Sequence, residues 1–377
     1  MRRTAALAVL LSMAAAGPAR VSAQEPAARA KEAYARAIEL EKKNNHPAAL
    51  SLLWEAAGLA PRDPDIQNRL GEALERVGAL DGAVDAYRRA VAERPDRKAS
   101  NNLILALCKV GKGAEAVERA RALAAEAPGD ADRLFTLGLA LSEQDVDESI
   151  VAFSRALELA PRHALARYNL ALVLRRVDRL PDALRELDRA LAIERRPQAL
   201  YTQGVIYWHQ GQLARAAESL RAAIAIAPDY ADAHHALGGV LKAQGDWNGA
   251  AQSLRAAIAL QPDLFSARYA LAQVQRAAGD ERGARASIDE ADRLRERSNR
   301  EREAITWTSV GIQKMGAGDL AGAVEAFVRA TGAFEPYAPA HYQLGLAFQR
   351  LGRREDARAS FDRAQRLNPS LLPPMYR

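Results

Sequence analysis

A proline, or a residue in its place, returns along this chain at nearly constant intervals. The positions are Pro61, Pro95, Pro128, Pro161, Arg195, Pro228, Pro262, Glu296, Glu335 and Pro369, and every step is 33 or 34 residues except one of 39. Twelve residues before each stands Ala49, Ala83, Ala116, Ser149, Ala183, Ala216, Ala250, Ala284, Ala323 or Ala357. Five before each stands Ala56, Ala90, Leu123, Ala156, Ala190, Ala223, Ala257, Ala291, Ala330 or Ala364. Self-similarity at this period argues against one globular core. It requires stacked units, each leaving an apolar face that only a neighbour covers. Ten units run from Ala30 to Pro369.

One unit contains the stretch ALGGVLKAQGDWNGAAQSLRAAIALQPD, residues 236–263. Helices approach to about 8 Å only where small residues make the contact, so Gly238, Ala250 and Ala257 mark the seams between helices. Gly245 suits the left-handed residue that ends a first helix, and Asp246 suits the N-cap of a second. Pro262 closes the second helix, because the residue before a proline is pushed out of the helical region. Leu70-Gly71, Leu137-Gly138, Leu237-Gly238 and Leu344-Gly345 repeat the pattern in the first half of their units, and Tyr87, Phe153, Phe327 and Phe361 share one large-residue slot in the second.

Leucine, glycine, alanine, aromatic, alanine and proline in this order, with Trp307 at an early tryptophan slot, resemble the tetratricopeptide repeat over roughly nine tenths of the chain. The resemblance implies an all-α, right-handed superhelical solenoid of antiparallel helix pairs. Departures are minor: Arg195, Glu296 and Glu335 replace the closing proline, and unit four is one residue short in its turn.

Residues 1–23, MRRTAALAVLLSMAAAGPARVSA, carry two arginines, an apolar run and a small-x-small end, the order of a secretory signal peptide cut before Gln24. An uncleaved anchor is the alternative, although the run is shorter than a span needs. The mature chain is then expected in the periplasm or outside the cell, with no stable membrane insertion. Loss of Arg2, Arg3 and Arg20 lowers the net charge from +6 to +3, which gives little reason to expect nucleic acid as a partner. Cys108 is the single cysteine, so no internal disulfide forms.

Nearly every residue has a solenoid position, so the expectation is that the chain is no enzyme and carries no catalytic residue, cofactor or metal. His234-His235 are neighbours on a helix and lack the spacing of a metal pair. His46 and His163 fall at turns and read as solvated. Two functional classes follow from the resemblance. One is a protein-protein interaction scaffold of the bacterial cell envelope that holds an extended partner segment in its concave groove. The other is an accessory or docking subunit for an enzyme complex of cell-wall, polysaccharide or lipid metabolism.

By the same resemblance, the fifth, ninth, twelfth and thirteenth positions of a unit line the groove. In units four to six these are Phe135, Leu139, Tyr168, Leu172, Arg175, Arg176, Tyr201, Val205, Trp208 and His209, and unit three adds Leu105, Cys108 and Lys109. Aromatic groups beside arginine compose a hot spot suited to an extended, partly apolar peptide with an acidic group for Arg175 or Arg176. Tyrosine recurs at the fifth slot in Tyr34, Tyr269 and Tyr342, so packing on neighbours is the alternative role for that slot. Asn102 and Asn169 sit at the sixth slot, where family members hold a ligand backbone, while Thr136 and Thr202 break the series.

The resemblance also implies that the twenty-first and twenty-eighth positions of a unit cover the next one, and these are apolar in units one to seven, as at Val84 and Val91, Leu184 and Leu191, or Ala251 and Ile258. They are Arg285 and Asp292 in unit eight and Arg358 and Gln365 in unit ten. A charge at a covering position marks an end. The expected organisation is therefore a lead over 24–29, an array of eight units over 30–297, and a two-unit block over 298–369 whose first helix Asn299 caps. An apolar tail follows over 370–377. Leu371, Leu372, Met375 and Tyr376 either fold back on the last helix or dock on another copy through this end.

Overall fold

The computed structural model describes residues 24–369 and Leu371. The candidate signal peptide, 1–23, lies outside the described residues, as does the tail apart from Leu371. The described residues form 19 helices and no strand. The chain divides into two compact units, residues 1–195 and 196–377.

The first unit runs through α1 (Gln24–Lys42), α2 (His46–Leu59), α3 (Pro64–Arg76), α4 (Leu80–Glu93), α5 (Arg97–Lys109), α6 (Gly113–Glu126), α7 (Ala131–Leu141), α8 (Val146–Leu159), α9 (Ala164–Arg176) and α10 (Leu180–Ile193). The second holds α11 (Pro197–His209), α12 (Leu213–Ile226), α13 (Ala231–Ala243), α14 (Trp247–Leu260), α15 (Phe265–Ala277), α16 (Glu281–Gly316), α17 (Leu320–Ala333), α18 (Ala338–Arg350) and α19 (Arg354–Leu367). Inside each unit every helix packs on its sequence neighbours. First helices of successive pairs also touch, α3 on α5 and α5 on α7 in one unit, α11 on α13 and α13 on α15 in the other. The architecture is an all-α solenoid.

The seams lie where small residues were expected. Ala49, Ala83, Ala116, Ser149, Ala183, Ala216, Ala250, Ala284 and Ala323 are all 0 % exposed, and Ala357 is 5 % exposed. The second helix reaches the first closely because a large side chain sits on a glycine. A Cβ added at Gly71 would lie 2.4 Å from the Tyr87 ring, and one at Gly238 would lie 2.6 Å from Leu254 Cγ. The turn between paired helices carries the left-handed residue, Gly245 at φ +80°, and Asp246 then accepts from the Gly249 amide at 2.9 Å to cap α14. Asn44 and Asp178 take the same conformation at φ 57° and 59°, being residues that tolerate it. Unit four, one residue short, has no left-handed residue at its turn.

One expectation is corrected. Asn299 caps nothing: it lies inside α16, a single helix of 36 residues that joins the second helix of unit eight to the first helix of unit nine. No glycine or proline stands between Gly283 and Gly311, so nothing in DRLRERSNRERE stops a helix, and the 39-residue step is spent on continuing it. Asp292 is half-buried yet not unpaired, since it accepts from Tyr269 Oη at 2.5 Å and from Arg295 at 2.8 Å. Between Ala291 and Ala304 no residue of α16 is buried.

Candidate functional site

The expected groove residues fall on one face of their helices, and each unit carries its own set. In the first unit Phe135 and Leu139 on α7 and Tyr168 and Leu172 on α9 stand one turn apart and are half-buried. The Phe135 ring is 5.9 Å from Phe153 and 4.8 Å from His163. His163 is not a solvated turn residue: it is half-buried and caps α9 by accepting from the Ala166 amide at 3.1 Å. Arg176 is already engaged, donating to Glu143 at 2.6 Å and to the Ser142 carbonyl. Arg175 is exposed and has no acidic partner among the described residues.

In the second unit Tyr201, Val205 and Trp208 are half-buried and His209 is exposed. Tyr201 packs on Tyr230 with ring centroids 5.2 Å apart. Trp208 packs against α13 at Gly239, where a Cβ would fall 2.5 Å from its Cη2. Packing therefore claims part of the aromatic surface expected for a ligand. His235, one turn before Gly239, is half-buried, and burial pushes its imidazole below the ordinary value despite the opposing charge of Asp232.

Successive first helices of the first unit are cross-linked at or just past their last turn. Arg76 donates to Glu41 at 2.9 Å, Lys109 to Glu75 at 2.8 Å and Arg176 to Glu143 at 2.6 Å, each base reaching an acid one repeat earlier. Lys98 and Arg69 join Glu72, and their hydrogen bonds and charges outweigh its burial to hold its carboxyl below the usual range. The sixth-slot asparagines are used internally, Asn102 donating to Asn68 at 3.0 Å and Asn169 to the Leu165 carbonyl at 2.8 Å. The sequence signal for this ladder is an acid and a base one period apart, which reading single slots passes over. Gly239, the second glycine of its doublet, was likewise legible only beside Trp208. His234 Nε2 sits 2.9 Å from the Pro228 carbonyl, and among the described residues no group of three His, Cys, Asp or Glu side chains stands where a metal could be held.

Comparison with known proteins adds family and fold. Tetratricopeptide repeat models match residues 34–98, 139–198 and 338–371, and a TPR repeat model matches 204–245 and 238–279, together more than half of the chain. Protein FlbA of Caulobacter vibrioides is 28% identical over 166 residues, 44% of this chain and 28% of that protein, so the match spans little over a quarter of FlbA. A solved tetratricopeptide repeat protein of Parabacteroides merdae is 18% identical with a TM-score of 0.53, covering 66% of this chain and 99% of the other. A thermophilic TPR protein of Thermus thermophilus is 24% identical with a TM-score of 0.44, covering 48% and 99%.

Proposed function

The chain belongs to the tetratricopeptide repeat family, and on that premise we propose that it is a non-catalytic scaffold of the bacterial cell envelope that holds an extended segment of a partner protein on the exposed face of its first helices. The observation that carries this reading is the Leu172 and Arg175 surface of α9. Leu172 is half-buried, Arg175 is exposed, and no acid among the described residues neutralises Arg175 while its neighbour Arg176 is taken by Glu143. An apolar strip ending in an uncompensated guanidinium matches a segment with an apolar side chain followed by a carboxylate. On the second unit Val205 and His209 offer the remaining surface, since Tyr201 and Trp208 are held by Tyr230 and Gly239. Export is supported by the order of charge and apolar residues over 1–23.

A photo-crosslinking residue placed at Leu172 in cells should capture one partner, and Arg175→Glu should reduce capture about tenfold, the loss of one charge-assisted contact. Equal capture by a folded Arg175→Glu variant would refute the assignment of this face. N-terminal sequencing of the protein recovered from the cell envelope should start at Gln24; an intact Met1 would refute cleavage.

A further inference from the structure

The edge of the second unit carries the turns that lead from one helix pair to the next, such as Gln261–Leu264 and Phe334–Tyr337. At α16 that turn is missing, because the helix runs straight through. A cleft opens on either side of it. One, of about 540 Å³, lies between Arg293, Leu294, Arg297 and Arg300 of α16 and the wall of Phe334 and Pro336. The other, of about 410 Å³, lies against the turn before α15 and shares Leu294 and Arg297.

Two of the three arginines in the first cleft are uncompensated in charge. Its three arginines stand at helical spacings of four and three, hence on one face of α16. Arg293 reaches Glu290 at 3.3 Å, whereas Arg297 and Arg300 have no acidic partner among the described residues. The Arg297 guanidinium instead lies 6.0 Å from the Phe334 ring. The acid in the wall, Glu335, is spent on Arg363 and stands 4.0 Å from His341. Glu301 lines the second cleft, and Glu296 lines neither.

We propose that this cleft is a second docking site, separate from the first-helix faces, for an acidic segment of a partner protein carrying one apolar side chain between carboxylates. The apolar side chain fills the space between Leu294 and Phe334, while planar guanidiniums at Arg297 and Arg300 take the carboxylates in paired hydrogen bonds. The apolar wall favours such a peptide over a nucleic acid, whose footprint is phosphate-directed and basic throughout. Of the twelve residues between Ala291 and Ala304 none is fully buried, yet the segment stays helical, which leaves this face of α16 for a partner.

The test is fluorescence anisotropy of the full chain with a labelled peptide in which phenylalanine is set among aspartates and glutamates. Saturable binding is expected, about tenfold weaker for Arg297→Ala/Arg300→Ala and weaker again at high salt. The same peptide with lysine for each acid should not bind. In an Arg175→Glu background, where the first-helix face is blocked, adding Arg297→Ala/Arg300→Ala should still weaken binding about tenfold, which separates the cleft from that face. No binding of the acidic peptide, equal binding by the double variant, or equal binding of the lysine peptide overturns the proposal. A gain in affinity on deleting residues 370–377 would assign the cleft to the chain's own tail. Sedimentation showing a dimer lost in the double variant would assign it to a second copy. Either result also overturns the proposal. Circular dichroism checks that the double variant is folded, as expected for exposed arginines.

Discussion

Gly138 has no side chain because the Phe153 ring occupies its place: a Cβ there would lie 2.6 Å from Cδ1 and Cε1 of that ring. The ring cannot retreat, since Phe153 is 0 % exposed. Gly138→Ala should therefore destabilise by about 1–3 kcal/mol, the usual cost of overpacking, read by chemical denaturation. Gly58→Ala is the control. Gly58 sits exposed in α2 with nothing within 4 Å of an added Cβ, so that variant should gain up to about 1 kcal/mol from helix propensity. An equal loss at both sites would mean that the Phe153 ring is not what sets the cost at Gly138. Tyr87 adds a pH dependence. Burial, with the hydrogen bond to Glu75 at 2.7 Å, raises its phenol above the ordinary value. A raised folded pKa contributes stability that is complete below the unfolded value, about 10, and is lost as the pH rises beyond it. Tyr87→Phe should flatten the fall in stability from about pH 10 upward; an unchanged alkaline limb would exclude Tyr87 as its source.

Helix α16 is held at its ends and exposed in its middle. Ala284 and Ala291 seat its start, Ala304, Thr308, Gly311 and Met315 seat its end, and nothing between them is buried. A helical stretch whose only apolar side chain is Leu294 draws little support from packing. Amides over 292–303 should accordingly exchange faster than those of 304–315 in hydrogen-exchange mass spectrometry, and proteases should cut between Leu294 and Arg302 before other described segments. Uniform protection along α16 would count against this. Asn299→Pro should cost about 3 kcal/mol or more, because the proline removes a hydrogen bond inside a continuous helix. Had Asn299 been a cap before a new helix, proline one residue later would have been tolerated. How residues 298–369 behave as a block is read from the same proteolysis.

At the scale of the molecule the chain falls into units 1–195 and 196–377, and inside each unit contacts stay local, each helix meeting its neighbours in sequence. Stability in such an array is close to a sum of repeats and nearest-neighbour interfaces. Calorimetry should therefore show two transitions. Gly138→Ala should lower the one belonging to the first unit, and Gly345→Ala, whose Cβ would meet Phe361 at 2.7 Å, the other. A single transition shifted equally by both variants would show that the two units unfold as one.

The repeat period alone determined where helices pair, which residues are small, and how turns and caps are made, because each depends on a residue's place within its own unit. Gly245 needs only its local φ, Asp246 only the amide three residues on, and Ala250 only the helix it faces. The fate of the groove side chains was decided by tertiary structure. Arg175 and Arg176 look equivalent in the chain, yet Glu143 of the preceding repeat claims one and leaves the other. Trp208 is a hot-spot residue by type, yet the bare backbone at Gly239 receives its ring. Charges at Arg285 and Asp292 suggested an end, but helix continuity follows from the absence of any breaker, and Tyr269 and Arg295 satisfy the acid. A period assigns each side chain a slot, whereas its freedom to bind depends on which atoms of the neighbouring repeat already reach it.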